Sequence, residues 1–179
     1  MPIGPRFPEV LRAASDGVEG AWSELYREFA PQLLRFLRAQ GATDPEDLLG
    51  DCFVQIVRKL GDFSGDETGF RTWVFLIARN RLVDEWRRAD RRPTVLRADP
   101  LVAASTPATI VPGADEAAIG RAGLDEILGR LTPDQRAVIS LRFVDRFSLA
   151  ETAEILGRSE GSVKLLQHRA IRALRRDLA

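Results

Sequence analysis

The strongest constraint on this chain lies near its C-terminus, in residues 148–176, SLAETAEILGRSEGSVKLLQHRAIRALRR. The stretch reads as two short helices joined by a tight turn. Ser148 stands where a helix N-cap belongs and Glu151 takes the reciprocal third position, a capping box. Leu149, Ala153 and Leu156 line one face, and Gly157 ends the helix where a left-handed residue is easiest. Ser159 can cap the second helix. At about 100° per residue, Val163, Leu166, Ala170 and Leu174 point inward. Lys164, Leu165, His168, Arg169, Arg172, Arg175 and Arg176 fall on the opposite side, and no acidic residue lies between Val163 and Arg176. This is the layout of a helix-turn-helix that offers a basic second helix to the DNA major groove. Arg158, Ser159 and Ser162 at the turn, with Lys164, Leu165, His168, Arg169 and Arg172 on the helix, are the candidate contacts. The competing reading is a solvated face, but such faces usually mix signs to gain i,i+4 pairs, and this one does not.

The 179 residues suffice for one domain or two small ones, and a hydrophobic content of 45% is that of a globular protein. The zero net charge hides a polar arrangement. Residues 1–60 carry 7 basic and 9 acidic side chains, and residues 61–97 carry 8 and 6. Residues 98–129 carry 1 and 5, and residues 130–179 carry 10 and 6. Two basic segments therefore alternate with two acidic ones.

From the start, MPIGPRFP reads as a loose leader, followed by a short helix around 9–15. Residues 16–19 are a candidate cap before Trp22, Leu25, Tyr26 and Phe29. Pro31 should kink or restart that helix, leaving either a helical hairpin or one bent helix. Gly41 closes the element. In DPEDLLGDCFVQIVRKLGDF, Asp44 is the cap and Pro45 takes the first helical position. Leu48, Leu49, Cys52, Phe53, Ile56, Val57 and Leu60 follow a 3.6 period. Glu46, Asp47 and Asp51 stand exposed near the helix start, where the dipole favours them; they either cap and solvate or form an acidic docking patch. The loop 61–69, GDFSGDETG, runs into a long helix, FRTWVFLIARNRLVDEWRRADRR. Phe70, Trp73, Val74 and Ile77 face a core. Arg79, Asn80, Arg81, Trp86, Arg87, Arg88, Arg91 and Arg92 form an arginine-dense second half with one aromatic. Basic groups for phosphates and a flat ring for a base suit opened nucleic acid; equally, Trp86 could be a core anchor.

Residues 93–118 hold four prolines (Pro93, Pro100, Pro107, Pro112) and break the helical pattern. They are expected to be a linker that is mobile or shaped by a partner. A second helical unit is expected from near Asp115, with Leu124, Ile127, Leu128 and Leu131 apolar. Thr132-Pro133-Asp134-Gln135 is a complete N-terminal helix signal, and Ala137, Val138, Leu141 and Phe143 should pack its helix against the pair at 148–176. The expected fold is all-α: two small helical domains joined by a Pro/Ala-rich linker, the second a helix-turn-helix. The boundaries expected are 10–95, 96–118 and 119–179.

Cys52 is the one cysteine, which excludes an internal disulfide and any multi-cysteine zinc site; a buried structural thiol is the simpler reading. His168 is the sole histidine. No catalytic or metal-ligating spacing and no phosphate loop is visible, so neither an enzyme nor a cofactor is expected. No signal peptide opens the chain and no apolar run nears the roughly 20 residues of a membrane span. A cytoplasmic protein without membrane contact is the expectation.

In order, the acidic DPEDLLGDCFVQIVRKL, the run F-x-x-W-x-x-x-I-A-R-N-R-L-x-D-E-W-R-R, a linker, L-x-x-L-T-P-D-Q-R-A-V-I-S-L-R-F, and S-x-x-E-T-A-E-I-L-G-x-S-E-G-S-V-K resemble the extracytoplasmic-function group of bacterial sigma-70 factors. The likeness covers nearly the whole chain beyond about residue 18. It implies an RNA polymerase specificity subunit directing promoter recognition and DNA melting in transcription initiation. A promoter-melting domain would occupy 10–95. Asp44, Glu46, Asp47, Asp51 and Gln55 would dock on the clamp-helix coiled coil of core polymerase. Phe63, Ser64, Asp66 and the facing Asn80 would hold a flipped base of the −10 element. Arg81, Trp86, Arg87 and Arg88 would lie at the upstream edge of the bubble, and the second domain would read the −35 duplex. Many such factors are held inactive by an anti-sigma protein, a further partner implied here.

There are departures. Leu49-Gly50-Asp51 stands where relatives often have Thr-Gln-Glu, Thr152 where Ile is usual, and Leu165-Leu166 where Ser-Arg is common. The −35 preference of a typical relative does not transfer. A free-standing helix-turn-helix regulator is the alternative; it would bind duplex DNA tightly without polymerase. A third reading makes the N-terminal half purely a protein-interaction module.

Overall fold

The computed structural model describes residues 2–91 and 129–177. The linker, the start of the second unit near Asp115, and Arg92 lie outside the described residues. In the first part, a 3-10 turn (Gly4–Arg6) leads into α1 (Phe7–Ser15), α2 (Glu19–Ala39) and α3 (Pro45–Lys59). A second 3-10 turn (Leu60–Asp62) and a short loop then precede α4 (Glu67–Arg91). In the second part come α5 (Pro133–Ile139), a π-turn (Ser140–Val144), α6 (Leu149–Leu156) and α7 (Glu160–Asp177). No strand occurs among the described residues.

Helix boundaries follow the local capping chemistry. The Asp44 carboxylate accepts from the Asp47 N–H at 2.9 Å. Thr132 and Ser148 both close full capping boxes, with Gln135 and Glu151 respectively, and Gly157 ends α6 at φ +61°. The Ser159 hydroxyl accepts from Ser162 N–H. At the loop before α4, Asp66 accepts from Gly69 N–H at 2.8 Å, so α4 begins at Glu67, three residues earlier than the composition of the loop implies. Replacing Ser148 by alanine is expected to cost about 1 kcal/mol, read as a lower urea midpoint; no shift would mean that Glu151 alone suffices.

Four expectations are corrected. The leader is not loose: Phe7 is buried in the core, and Ile3 and Gly4 N–H groups donate to the Glu67 carboxylate at 2.6 and 2.7 Å. Two hydrogen bonds to one carboxylate, plus a buried ring, offset the cost of ordering those residues. At the next boundary no side chain caps α2, whose N-cap is Val18. Third, Pro31 neither restarts nor ends α2. It and Arg27 are both exposed, so the carbonyl that loses its partner faces water while Phe29, Leu33, Phe36 and Leu37 hold the other face. Finally, Phe143 is 54% exposed and Val57 52%. Val57 lies about 100° beyond buried Ile56. Phe143 lies about 200° round the helix from buried Leu141, so the helical period itself turns it outward, and Phe147, after the π-turn, takes the core position instead.

The cores of the two parts join. Leu141, Phe147 and Ile155 belong to the same buried cluster as Phe29, Phe36, Phe70 and Phe75, with the Phe75 and Phe147 rings 4.8 Å apart. A smaller cluster of Val138, Ala153 and Val163 is the helix-turn-helix's own. The first helix of that motif is therefore covered on two sides: Ala153 faces α5 and α7, while Ile155 faces α4.

Candidate nucleic-acid and polymerase-docking surfaces

On α7 the wheel derived from sequence holds. Val163 and Ala170 are fully buried, and Lys164, Leu165, His168, Arg169, Arg172, Arg175 and Arg176 are exposed. Leu165 is 49% exposed between cations. Arg142 ties this helix to the π-turn, bonding Gln167 at 3.3 Å and the Phe147 carbonyl at 2.5 Å. At the turn, Ser159 and Ser162 serve the cap described above, and Arg158 reaches the Asp134 carboxylate at 2.5 Å. The expected contacts of the second helix share one face; Arg158 is engaged elsewhere.

Around the loop, Phe63 is half-buried, its ring 5.2 Å from both Phe70 and Trp73. A Cβ at Gly65 would stand 3.0 Å from that ring, so glycine is what lets the loop fold over it. Phe63 thus shapes the loop, Asp66 caps α4, and Ser64, exposed, serves neither purpose. Asn80 is exposed on the following helix, as are Arg87 and Arg88. Trp86 is half-buried against the core, with the Arg79 guanidinium 5.4 Å above its ring. Arg81 donates to Gln55 at 2.8 Å, which joins a residue expected at DNA to one expected at polymerase.

Asp44, Glu46, Asp47 and Asp51 are all exposed. Glu46 pairs with Arg38, an exposed bridge worth little. Asp44, Asp47 and Asp51 line one side of a groove of about 270 Å³ whose other side is Glu85, Arg88 and Ala89 of α4. The acidic start of α3 and the arginine-rich end of α4 are neighbours. Cys52, behind them, is fully buried, and burial pushes its thiol up to about 12 against the pull of Arg81. It stays protonated and inert.

Sequence reasoning passed over two features. One is an apolar groove of about 600 Å³ between α2 and α3, lined by Trp22, Tyr26, Phe53 and Val57, with the Tyr26 and Phe53 rings 4.7 Å apart and tilted by 48°. Its visible signal was the pair Phe53 and Val57, one turn apart on α3 and beyond the fully buried stripe. The other is a charged cluster around Asp145. Arg35 bridges it at 2.5 Å, and Arg71 bonds its carbonyl at 2.6 Å while lying 4.0 Å over the Phe147 ring. Burial raises the Asp145 pKa above its ordinary 3.8, with Arg35 and Arg71 opposing. The folded chain therefore holds that proton more tightly than the unfolded one. The contribution is present below the ordinary value and is lost as pH rises through the raised one. Asp145→Asn is expected to flatten that limb of a urea-midpoint profile against pH; an unchanged limb would show that the two arginines cancel the burial.

No helix among the described residues is long and apolar enough to cross a membrane. No group of three or more His, Cys, Asp or Glu residues among them is placed to hold a metal.

Comparison with known proteins finds the family profile "Sigma-70 region 2" over residues 25–92 and "Sigma-70, region 4" over residues 127–176. The chain is 32% identical over 175 residues to the ECF RNA polymerase sigma factor BldN of Streptomyces coelicolor, covering 97% of this chain and 66% of BldN. It is 31% identical over 168 residues to the ECF RNA polymerase sigma factor SigX of Bacillus subtilis, covering 90% and 85%. It is 34% identical over 156 residues to SigL of Mycobacterium tuberculosis, covering 86% of each chain. Among solved structures, CnrH in complex with the cytosolic domain of CnrY superposes with a TM-score of 0.68 at 26% identity, over 96% of both chains.

Proposed function

The chain belongs to the extracytoplasmic-function group of sigma-70 factors and is an RNA polymerase sigma factor of transcription initiation; from that premise we propose how its surfaces divide the work. Such factors are generally DNA-binding initiation factors rather than enzymes. The helical unit of α1–α4, together with the ordered leader that buries Phe7, is the promoter-melting and polymerase-binding domain, and residues 119–179 form the −35 reading domain. Asp44, Asp47 and Asp51 on α3 dock on the clamp-helix coiled coil of core polymerase. Ser64 and Asn80 receive a base of the opened −10 element, over a loop that Phe63 and Asp66 hold in shape. Arg87, Arg88 and the edge of Trp86 meet the upstream end of the bubble. The exposed face of α7 enters the −35 major groove. The observation that carries this division is that face: seven outward residues, five of them Lys or Arg, on a doubly capped helix-turn-helix. A cytoplasmic location accords with these partners.

The CnrH structure is one with the cytosolic domain of CnrY, and for this chain an anti-sigma protein partner is proposed. It should abolish run-off transcription when added in equimolar amount, and a chain whose activity no co-expressed candidate lowers would argue against it. The test of the whole reading is transcription of genomic fragments by purified core polymerase, with and without this chain, followed by sequencing of transcript ends. Discrete starts that depend on the chain are expected. Their absence, together with tight binding to duplex DNA without polymerase, would favour the free-standing regulator instead.

Leu165 carries a specificity prediction. Arginines beside it can hold phosphates and fix the register, which leaves the leucine to touch a thymine methyl, a contact of about 1 kcal/mol. Leu165→Ser is expected to leave folding and core binding alone and to cut discrimination roughly fivefold at one −35 position. Arg172→Ala should instead weaken all promoters and reduce the salt dependence. A −35 substitution scan that returns the parental preference at every position for Leu165→Ser would make the leucine a surface residue only.

A further inference from the structure

Residues 2–7 meet neither polymerase nor DNA in this division of the surfaces, yet they are held to one place. Ile3 is right-handed, at φ −63° and ψ −32°, and Gly4 follows left-handed at φ +69°. That alternation turns successive backbone N–H groups into one concavity, a nest for an anion. Its occupant is the chain's own Glu67. The Ile3 N–H donates to Oε1 at 2.6 Å and the Gly4 N–H to Oε2 at 2.7 Å. Both oxygens of one carboxylate are thus held by adjacent residues, and bonds to a charged acceptor are the stronger kind. A Cβ at Gly4 would meet nothing within 4 Å. Space does not call for glycine there; the left-handed backbone does.

Glu67 is the first residue of α4, and it ends the loop that carries Ser64. At the other end of that loop the Phe63 N–H donates to the Leu60 carbonyl at 3.1 Å. Asp66, between them, accepts from Gly69 through its side chain and from Phe70 through its carbonyl, at 2.8 and 2.9 Å. A second route from the leader runs through rings. Phe7 stands 5.4 Å from Phe70, and Phe70 stands 5.2 Å from Phe63, over which the loop folds. The leader therefore grips the end of the loop through a charge and its floor through packing.

We propose that the nest of Ile3 and Gly4, with the Glu67 carboxylate in it, is a positioning device for −10 base recognition: it fixes the start of α4, and with it loop 63–66, in the form that accepts an unstacked base. The proposal rests on the sigma-factor reading for the strand that bears the base. None of the three residues touches that strand; they act through the loop. Without the nest, the loop loses one of its anchors. A carboxylate would also swing free beside a strand of phosphates, which opposes binding.

The test uses the full chain in two single variants and their double. Gly4→Val sets a β-branched residue where the backbone is left-handed, which opens the nest. Glu67→Gln keeps the side-chain shape but turns an amide NH2 against one of the two N–H donors. In the free chain, amide hydrogen exchange at Gly65, Gly69 and Phe70 is expected to quicken about three- to tenfold in both variants. The amides of Leu33 and Ile56, in the cores of α2 and α3, should keep the parental rate. With core polymerase, transcription from promoters substituted at each −10 position should lose about three- to tenfold of its discrimination at one or two adjacent positions. Core affinity and −35 preference should stay parental. The double variant should be no worse than either single one, because both break the same contact.

Parental exchange in both variants would overturn the anchoring itself. Faster exchange beside parental −10 discrimination would overturn its part in base recognition. A uniform loss at every −10 position together with weaker core binding would reduce the nest to a stabilising contact, and additive effects in the double variant would separate Gly4 from Glu67. Faster exchange in the variants, beside a parent chain that starts no transcripts with core polymerase, would sustain the anchoring and overturn the sigma-factor reading instead.

Discussion

Replacing Phe70 by alanine is expected to destabilise the N-terminal unit by about 3–5 kcal/mol, the range for deleting a large buried aromatic. Phe70 is 1% exposed, and its ring stands 5.2–5.5 Å from four others: Phe7, Phe29, Phe63 and Trp73. Each such contact adds to the area term, so the loss should exceed that of an aliphatic of similar volume. Phe70 also supports the ring of Phe63, over which the loop 63–66 folds. The variant should therefore lose promoter opening even in conditions where it stays helical. Urea unfolding measures the first effect and permanganate footprinting of the bubble the second. A loss below about 1 kcal/mol, against the usual range for Phe→Ala, would mean that the surrounding rings collapse into the space. In that event the loop would not depend on this core.

The second large effect is expected at polymerase. Asp47 and Asp51 stand one turn apart on α3, both exposed, beside a groove whose far wall carries Arg88. Reversing both to lysine changes the local charge by four units. A basic partner surface would turn from attraction to repulsion, and affinity for core should fall by at least tenfold, on the order of 1.4 kcal/mol or more. Lysines near a helix N-terminus also oppose its dipole, by roughly 0.3–1 kcal/mol. Thermal melts must accompany the titration for that reason. Parental affinity in a folded variant would leave these acids with capping and solvation only, and would direct attention to the Tyr26–Phe53–Val57 groove on the neighbouring face.

Most of what was legible in the sequence is local. Ser148 with Glu151, Thr132 with Gln135, Asp44 before Pro45, and Gly157 each act within four residues, through bonds that depend on little beyond the chain itself. The outward face of α7 follows from period alone, since an unbroken helix keeps its register from Val163 to Leu174. The order of the family's motifs then carried the function. Errors arose where a local rule met a distant contact. Residues 1–8 are rich in proline and glycine, but Glu67 and the Phe70 ring, some sixty positions away in the chain, hold them in place. Pro31 is expected to kink or restart the helix, yet α2 runs through it, because burial on the opposite face outweighs one lost bond. Phe143 stands only two residues beyond Leu141, on the opposite side of the helix, and Phe147 fills the core after the π-turn.

By itself, then, the sequence determined an all-helical chain, the start and end of most helices, and a basic recognition face, because capping and periodicity are short-range and largely independent of packing. Only the tertiary structure decided that α6 is buried on a second side, that Arg79 turns from the surface to Asp134, and that Arg81 spends its guanidinium on Gln55. Those outcomes depend on which side chains from remote segments arrive at the same place. Ile155 looks like an ordinary member of an amphipathic helix until Phe75 and Arg71 come to lie against Phe147 of its unit. A charge pattern says how many arginines a segment has; a carboxylate brought from 55 residues away, as Asp134 is to Arg79, decides which of them face the solvent.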